Sequence, residues 1–167
     1  ISACLVGSEM CIRDRYKRMY DVELVLRYFS MRHIDEYSGK LSEFMDLCLR
    51  QGNRYTDEQL KILRKIFEET IEKANMLFGE KAFCQYVKRR GTFSWTSPQK
   101  MIYDSMMLAL SQIEINNREI DFSRNVEKLE DFYKKNEEVF DGKRQSKSDI
   151  KRRTELFINF ITEKILG

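Results

Sequence analysis

The chain has 167 residues, 34% of them charged and 42% hydrophobic, and a net charge of +3. This length suits one domain with a hydrophobic core, and the balance is too polar for a membrane protein and too apolar for a disordered one. No apolar run approaches the roughly 20 residues that cross a bilayer. We therefore expect a single cytoplasmic globular domain, without contact with a membrane. The mild charge does not by itself indicate nucleic-acid binding.

The N-terminal run is expected to lie outside the domain. The chain begins at Ile1 rather than methionine, so we expect further sequence upstream. The opening ISACLVGSEMCIRD also resembles the translated sequencing-adapter DNA found at the edges of metagenomic reading frames. Residues 1–14 are therefore predicted to be non-native or disordered, and the helical domain is predicted to span 15–167.

The first two predicted helices cover residues 21–34 and 40–51. Apolar spacing at steps of four, three and four gives the first helix a buried face, formed by Val22, Leu26, Phe29 and His33. His33 is the sole histidine, and on an apolar face we favour a structural role for it over a catalytic one. Gly52 and Asn53 are expected to end the second helix.

A long third helix is predicted over 57–78. Thr56 and Gln59 form a capping-box pattern at its start, and Gly79 is a plausible C-terminal stop. Its buried stripe is expected to comprise Leu60, Leu63, Phe67, Ile71, Ala74 and Phe78. Glu69 and Lys73, one turn apart, are expected to pair on the solvent side.

Three more helices are predicted over 98–115, 122–140 and 148–166. Residues 83–97 lack helical periodicity and are predicted to form a connector, with a short helical turn around Phe83 and Tyr86. Ser97 and Pro98 then supply an N-cap and first-turn pair. The buried faces are expected to be Ile102, Met106, Ala109 and Ile113, then Phe122, Val126, Leu129 and Tyr133, then Ile150, Phe157, Ile161 and Ile165. The expected fold class is all-α, a single bundle of about six helices with no significant sheet.

The sequence offers no pattern for catalysis, cofactor binding or metal binding. A single histidine excludes sites built on several, including an HNH nuclease, and neither a phosphate-binding glycine loop nor a nucleophile elbow occurs. The four cysteines, Cys4, Cys11, Cys48 and Cys84, lack zinc-ligand spacing. We expect Cys48 and Cys84 to be reduced, buried thiols. No catalytic, cofactor or metal residue is assigned.

Two basic clusters are the candidate nucleic-acid contacts. The first, Lys88, Arg89 and Arg90, stands beside rings of the kind that stack on unpaired bases, at Tyr86, Phe93 and Trp95. The second comprises Lys143, Arg144, Lys147, Lys151, Arg152 and Arg153. Because cations are unfavourable at a helix start, a compensating partner is expected there. The favoured interpretation of both clusters is nevertheless solvated surface, with the rings as packed anchors.

Residues 15–51, RYKRMYDVELVLRYFSMRHIDEYSGKLSEFMDLCLRQ, resemble the helical part of a domain-of-unknown-function family. That family stands at the N-terminus of GmrSD-type, modification-dependent restriction endonucleases. FGEKAF at 78–83 and MIYDSMMLAL at 101–110 are similar to later blocks of it, so the resemblance spans 15–115. The resemblance implies a role in bacterial defence against phage.

The family's two catalytic portions have no counterpart in this sequence. Its ParB- and sulfiredoxin-like nucleotide-binding portion carries an Asp-Gly-Gln-Gln-Arg motif ahead of the helices, and many members carry a C-terminal HNH nuclease domain. Neither the motif nor that domain occurs here. A bound nucleotide, and any NTPase or nuclease activity, is therefore expected only in an intact parent protein.

Three functions are compatible with these observations. The first is a helical scaffold region of an anti-phage defence protein, which supports an upstream nucleotide-binding or DNA-sensing portion and helps to contact DNA. The second is a helical protein–protein interaction module that uses an exposed apolar groove. The third is a stand-alone DNA-binding domain that uses the basic clusters alone. The oligomeric state does not follow from the sequence.

Overall fold

The computed structural model describes residues 20–115, 121–140 and 145–167. These residues form seven α-helices and a two-stranded antiparallel sheet, which confirms the all-α class. The helices are α1 Tyr20–Met31, α2 Leu41–Gly52, α3 Asp57–Phe78, α4 Lys100–Leu110, α5 Phe122–Lys135, α6 Glu137–Phe140 and α7 Lys147–Phe160. The strands are β1 Tyr86–Arg89 and β2 Thr92–Trp95. Turns of 3₁₀-helix lie at Ile34–Glu36 and Gly79–Lys81, and a π-helical turn, Ile161–Ile165, continues α7. The predicted N-terminal segment 1–14 lies outside the described residues.

Side-chain caps mark the starts of three described helices, α3, α5 and α7. The capping box at Thr56 is present, and Gly79 ends α3 with a φ of +50°. The predicted start of α4 at residue 98 is wrong: Gln99 is the N-cap residue, it makes no side-chain cap, and Pro98 lies before the helix. The predicted helix over 122–140 is interrupted at Asn136, whose amide is shared between two carbonyl groups of the preceding turn.

Helix α4 is the centre of the core. Every residue from Ile102 to Leu110 is buried, and α1, α3 and α7 all pack against this helix. The predicted buried face of α4 is confirmed, as is burial of Ile150, Phe157 and Ile161 on the last helix. Phe122 and Leu60 are 45% and 47% exposed, in contrast to their predicted burial.

The buried face of α1 differs from the predicted one. Val22 is 58% exposed, and His33 is exposed beyond the end of the helix. The residues that α1 does bury are Leu24, Arg27, Tyr28, Ser30 and Met31. The prediction failed because the buried face contains an arginine, which a pattern of apolar residues assigns to solvent.

A buried ion pair explains how the core accepts Arg27. Its Nε donates to Oδ1 of Asp104 at 2.9 Å and its Nη2 donates to Oδ2, and each of the two residues is 3% exposed. Burial raises the pKa of Asp104, and the facing guanidinium opposes that shift. The bidentate geometry satisfies both partners, so the pair joins α1 to α4.

Lys73 does not pair with Glu69 as predicted. Its Nζ donates to the carbonyl oxygens of Leu110 and Ile113, at 3.3 and 2.7 Å, where α4 ends. A cation is favourable at this position because it faces the negative end of the helix dipole. The Glu69 carboxylate lies 3.7 Å from the Nζ of Lys65 instead.

A β-hairpin replaces part of the predicted connector. Tyr86 pairs with Trp95, and Arg89 with Thr92, so two residues form the turn. Arg90 and Gly91 both have positive φ, +50° and +87°, as a type I′ hairpin turn requires. The predicted helical turn around Phe83 and Tyr86 is wrong, because the 3₁₀ turn ends at Lys81.

Candidate functional site

The rings of the hairpin are anchored to α5. The Nε1 of Trp95 donates to Glu130 at 3.1 Å, and the indole meets the ring of Tyr133 edge-on. Tyr86 stacks on Phe93 with ring centroids 5.5 Å apart. All three hairpin rings are half-buried. This arrangement fits the interpretation of the rings as packed anchors, and it fixes the hairpin to the body of the domain.

The hairpin carries the first basic cluster at its tip. Lys88, Arg89 and Arg90 are all exposed. Within the described part of the chain none of them takes part in an ion pair, although the Nζ of Lys88 lies 5.9 Å from the centre of the Phe93 ring. These three cations are therefore brought together on one exposed element and are open to an anionic ligand.

A polar cleft of about 830 Å³ lies between the hairpin and the start of α4. Lys88, Arg89 and Lys100 supply its cations, and three glutamines line it: Gln85, Gln99 and Gln145. Lys100 is neutralised by Glu23, whose carboxylate oxygens lie 2.6 and 2.7 Å from its Nζ. The cleft therefore gains its unbalanced positive charge from Lys88 and Arg89.

The second basic cluster is not one surface. Arg153 is 1% exposed and its Nε lies 3.4 Å from the hydroxyl of Ser105, so the prediction that it contacts nucleic acid is wrong. Lys147 donates to the backbone oxygen of Asp35, and Lys151 contacts the Asp35 carboxylate at 2.5 Å. Among the described members of the cluster, Arg152 is the one in the exposed class, and Lys147 and Lys151 are half-buried. Lys143 and Arg144 lie outside the described residues.

The compensating partner expected at the start of the last helix belongs to the chain itself. Asp35 receives both lysines, and the hydrogen bond and charge of Lys151 lower its pKa. Asp149 completes a capping box with Ser146 at the same helix end. Carboxylates thus balance the cations of the first turn, and the lysines dock α7 onto the turn after α1.

A second concave surface is apolar. A groove of about 610 Å³ runs between α1, α2 and the N-terminal half of α3, and His33 and Cys48 line it. Cys48, whose burial was expected, is half-buried there, whereas Cys84 is buried and its Sγ donates to the backbone oxygen of Glu80 at 3.3 Å. His33 therefore stands at the edge of a groove rather than within the core. Sequence reasoning raised an apolar groove as a hypothesis but did not locate it.

The described residues contain no set of three or more histidine, cysteine, aspartate or glutamate side chains placed to hold a metal ion. None of the helices described combines the length and apolar character needed to cross a membrane. The basic hairpin with its cleft and the apolar groove are the two surfaces that the proposals below use.

Comparison of the chain with protein-family models, with curated proteins and with solved structures finds no match in any of the three.

Proposed function

We propose that this chain is a helical scaffold region of a restriction-like, anti-phage defence protein, and that its hairpin contributes contacts to the phosphates of nucleic acid. The observation that carries the second part is the hairpin tip, where Lys88, Arg89 and Arg90 are exposed and stand outside any ion pair in the described residues. The first part rests on the resemblance of residues 15–115 to the helical part of the GmrSD-type family.

The hairpin suits phosphate contacts better than base stacking. Lys88 lies beside the ring of Phe93, and the Nζ of Lys134 lies 5.6 Å from the centre of the Tyr86 ring. A base would have to displace these lysines before it stacked. A phosphate chain, by contrast, can follow the exposed cations at the tip and enter the cleft beside Arg89 without any rearrangement of the rings.

The test is the salt dependence of binding to fluorescently labelled single-stranded and duplex DNA. Replacement of Lys88, Arg89 and Arg90 by glutamine in one variant is expected to lower the slope of log affinity against log salt by about 2 to 3. A matched control replaces three exposed cations elsewhere, Arg50, Arg54 and Lys61. Equal losses in the two variants, or no binding by the unaltered chain at low salt, would contradict a hairpin site.

The family context has a separate test that needs no protein. The reading frame upstream of this chain is expected to encode an Asp-Gly-Gln-Gln-Arg motif ahead of the helices. A nucleotide-binding portion joined to the present helices would then be measured for nucleotide affinity with and without them. An unrelated upstream sequence would remove the defence assignment while leaving the hairpin proposal open to its own measurement.

A protein-binding role is the second candidate function. The observation in its favour is the apolar groove between α1, α2 and α3, whose walls include exposed leucine, valine and tyrosine side chains. A stand-alone DNA-binding domain, the third hypothesis, requires the isolated chain to bind duplex DNA tightly at physiological salt.

A further inference from the structure

The apolar groove exists because two consecutive helices diverge. Helix α2 packs against α1 and α3 packs against α4, whereas α2 and α3 make little contact with each other. The first half of α3 is consequently exposed along most of its length. The space left between the three helices is a groove of about 610 Å³, within the usual range of ligand-binding clefts.

Large apolar side chains stand exposed along the groove. Four of its large apolar lining residues are more than a third exposed: Val25 at 37%, Leu49 at 51%, Tyr55 at 38% and Leu60 at 47%. Contiguous apolar surface of this kind marks interaction sites on soluble proteins. The exposure is concentrated, since three helices contribute to one concave surface.

The walls have the spacing of helix-packing surfaces. On α3 the lining residues Leu60, Leu63 and Phe67 follow one another at helical steps, and only Phe67 is buried. On α1 the corresponding row is Leu26 and Phe29, both half-buried. The row on α3 extends over about 10 Å, or two turns, and the row on α1 over about 4.5 Å, or less than one turn. The α3 row has the length and spacing to accept the ridge of another helix.

The positively charged side chains that line the groove outnumber the negatively charged ones. Arg64 is paired with Glu68, the one carboxylate among the lining residues, at 2.9 Å. Arg32 lies over the ring of Tyr28 and contacts its hydroxyl at 3.4 Å, and in the part of the chain described no carboxylate pairs with it. The rim therefore keeps a net positive charge, which complements an acidic partner.

We propose that this groove binds an amphipathic helix from another protein, a helix whose apolar side chains enter the groove and whose flanking residues are acidic. The apolar rows on α1 and α3 recognise the buried stripe of the partner. Arg32 at the rim recognises its carboxylates. This mode of recognition reads apolar anchors at helical spacing over two to three turns, and it is independent of the hairpin and of any nucleic acid.

The test uses two labelled peptides of about 15 residues, near the shortest length at which an isolated helix forms. Both carry leucine at helical spacing on one face; one has glutamate and the other lysine at the remaining positions. Fluorescence anisotropy is expected to show tighter binding of the glutamate peptide to the unaltered chain. The substitution Leu60→Glu is expected to weaken that binding at least about tenfold.

The matched control is Ile62→Glu. Ile62 is 60% exposed on the same helix but does not line the groove, so the two variants introduce the same charge at similar exposure. Circular dichroism establishes that both variants fold. Equal binding by the two variants, or equal binding of the two peptides, would overturn the proposal.

Two other ligands could occupy the groove, and the results that would identify either of them would also overturn the proposal. If sedimentation shows that the unaltered chain forms a dimer that Leu60→Glu dissociates and Ile62→Glu does not, the groove is filled by a second copy. If a neutral apolar dye binds in the groove while neither peptide does, the site belongs to a small apolar ligand. Protection of the Cys48 thiol by the glutamate peptide, in a chain with Cys4 and Cys11 replaced by serine, would support the proposal directly.

Discussion

Replacement of Arg27 by methionine removes one partner of the buried ion pair between α1 and α4 while keeping much of the side-chain volume. Because both residues are 3% exposed, the change leaves the Asp104 carboxylate buried without its bidentate partner. Breaking a buried pair from one side costs about 3 to 5 kcal/mol. We expect R27M to lower the free energy of unfolding by an amount in that range, measured by urea unfolding followed by circular dichroism.

The double variant R27M/D104L distinguishes the cost of an unpaired buried charge from the cost of altered packing around it. Apolar replacement of a whole buried pair is often neutral or stabilising by about 1 to 4 kcal/mol, so the second substitution should recover more than half of the loss. The rest of the loss is expected to remain because D104L also removes the carboxylate that faces the charge of Arg153. If the double variant loses as much as the two single variants together, the ion pair does not account for the stability of this contact.

The pH dependence of R27M gives the same prediction a second readout. Burial already raises the pKa of Asp104 against the opposing effect of Arg27, so without Arg27 that pKa rises further. When the folded-state pKa of a carboxyl group lies above its unfolded value of about 3.9, the protonated carboxyl contributes stability below the unfolded pKa. That contribution is lost as the pH rises through the folded-state pKa. The deficit of R27M should therefore widen from about pH 4 to pH 7. A deficit that stays constant or narrows over this range would refute the argument.

Three further measurements test the core and a helix end. Burial raises the pKa of Tyr103 and of Tyr133. The stability that these neutral side chains contribute is therefore present below about pH 10 and lost above it. Absorbance titration should show both tyrosines ionising only as the protein unfolds. Because the Tyr133 hydroxyl has no hydrogen-bond partner among the described residues, Tyr133→Phe should be neutral or stabilising by about 1 kcal/mol; a clear loss would reveal a partner. Thr56→Ala should cost about 1 kcal/mol through loss of its cap, whereas Ser97→Ala, at a position that caps no helix, should cost far less.

Sequence reasoning located the helices well where the signals are local. The third helix was predicted over 57–78, and α3 is Asp57–Phe78, because a capping box and a glycine stop act within a few residues of the ends. The buried face of α4 followed from spacing alone. The face of α1 did not, since the burial of Arg27 depends on Asp104, which is 77 positions away.

The hairpin was missed for a different reason. Its turn, Arg90-Gly91, places a positive φ on arginine, whereas the pattern usually searched for has asparagine or aspartate before the glycine. Its strands have four residues each and leave little alternation to detect. The pairing of Tyr86 with Trp95 is the signal that could have found it, because cross-strand aromatic pairs stabilise hairpins.

The candidate contacts were predicted as two clusters, and the structure separates them. Lys88, Arg89 and Arg90 share one element, so their proximity in sequence carries over into space. In the second cluster helical geometry turns Arg153 inward and directs Lys151 to Asp35, a residue 116 positions away. Such long-range partners cannot be recognised from a run of charges.

Helix α1 connects the two proposed binding surfaces. Tyr20 at its start lines the polar cleft, and His33, just beyond its end, lines the apolar groove. Between them Arg27 is held by Asp104 on α4, the same helix whose first residue, Lys100, also lines the cleft. A ligand could couple the surfaces by favouring a different position of α1, but a shift that separated Arg27 from Asp104 would leave buried charges unpaired, at a cost of about 3 to 5 kcal/mol. Ligands at the two proposed surfaces should therefore bind independently, which a titration of each in the presence of the other would show.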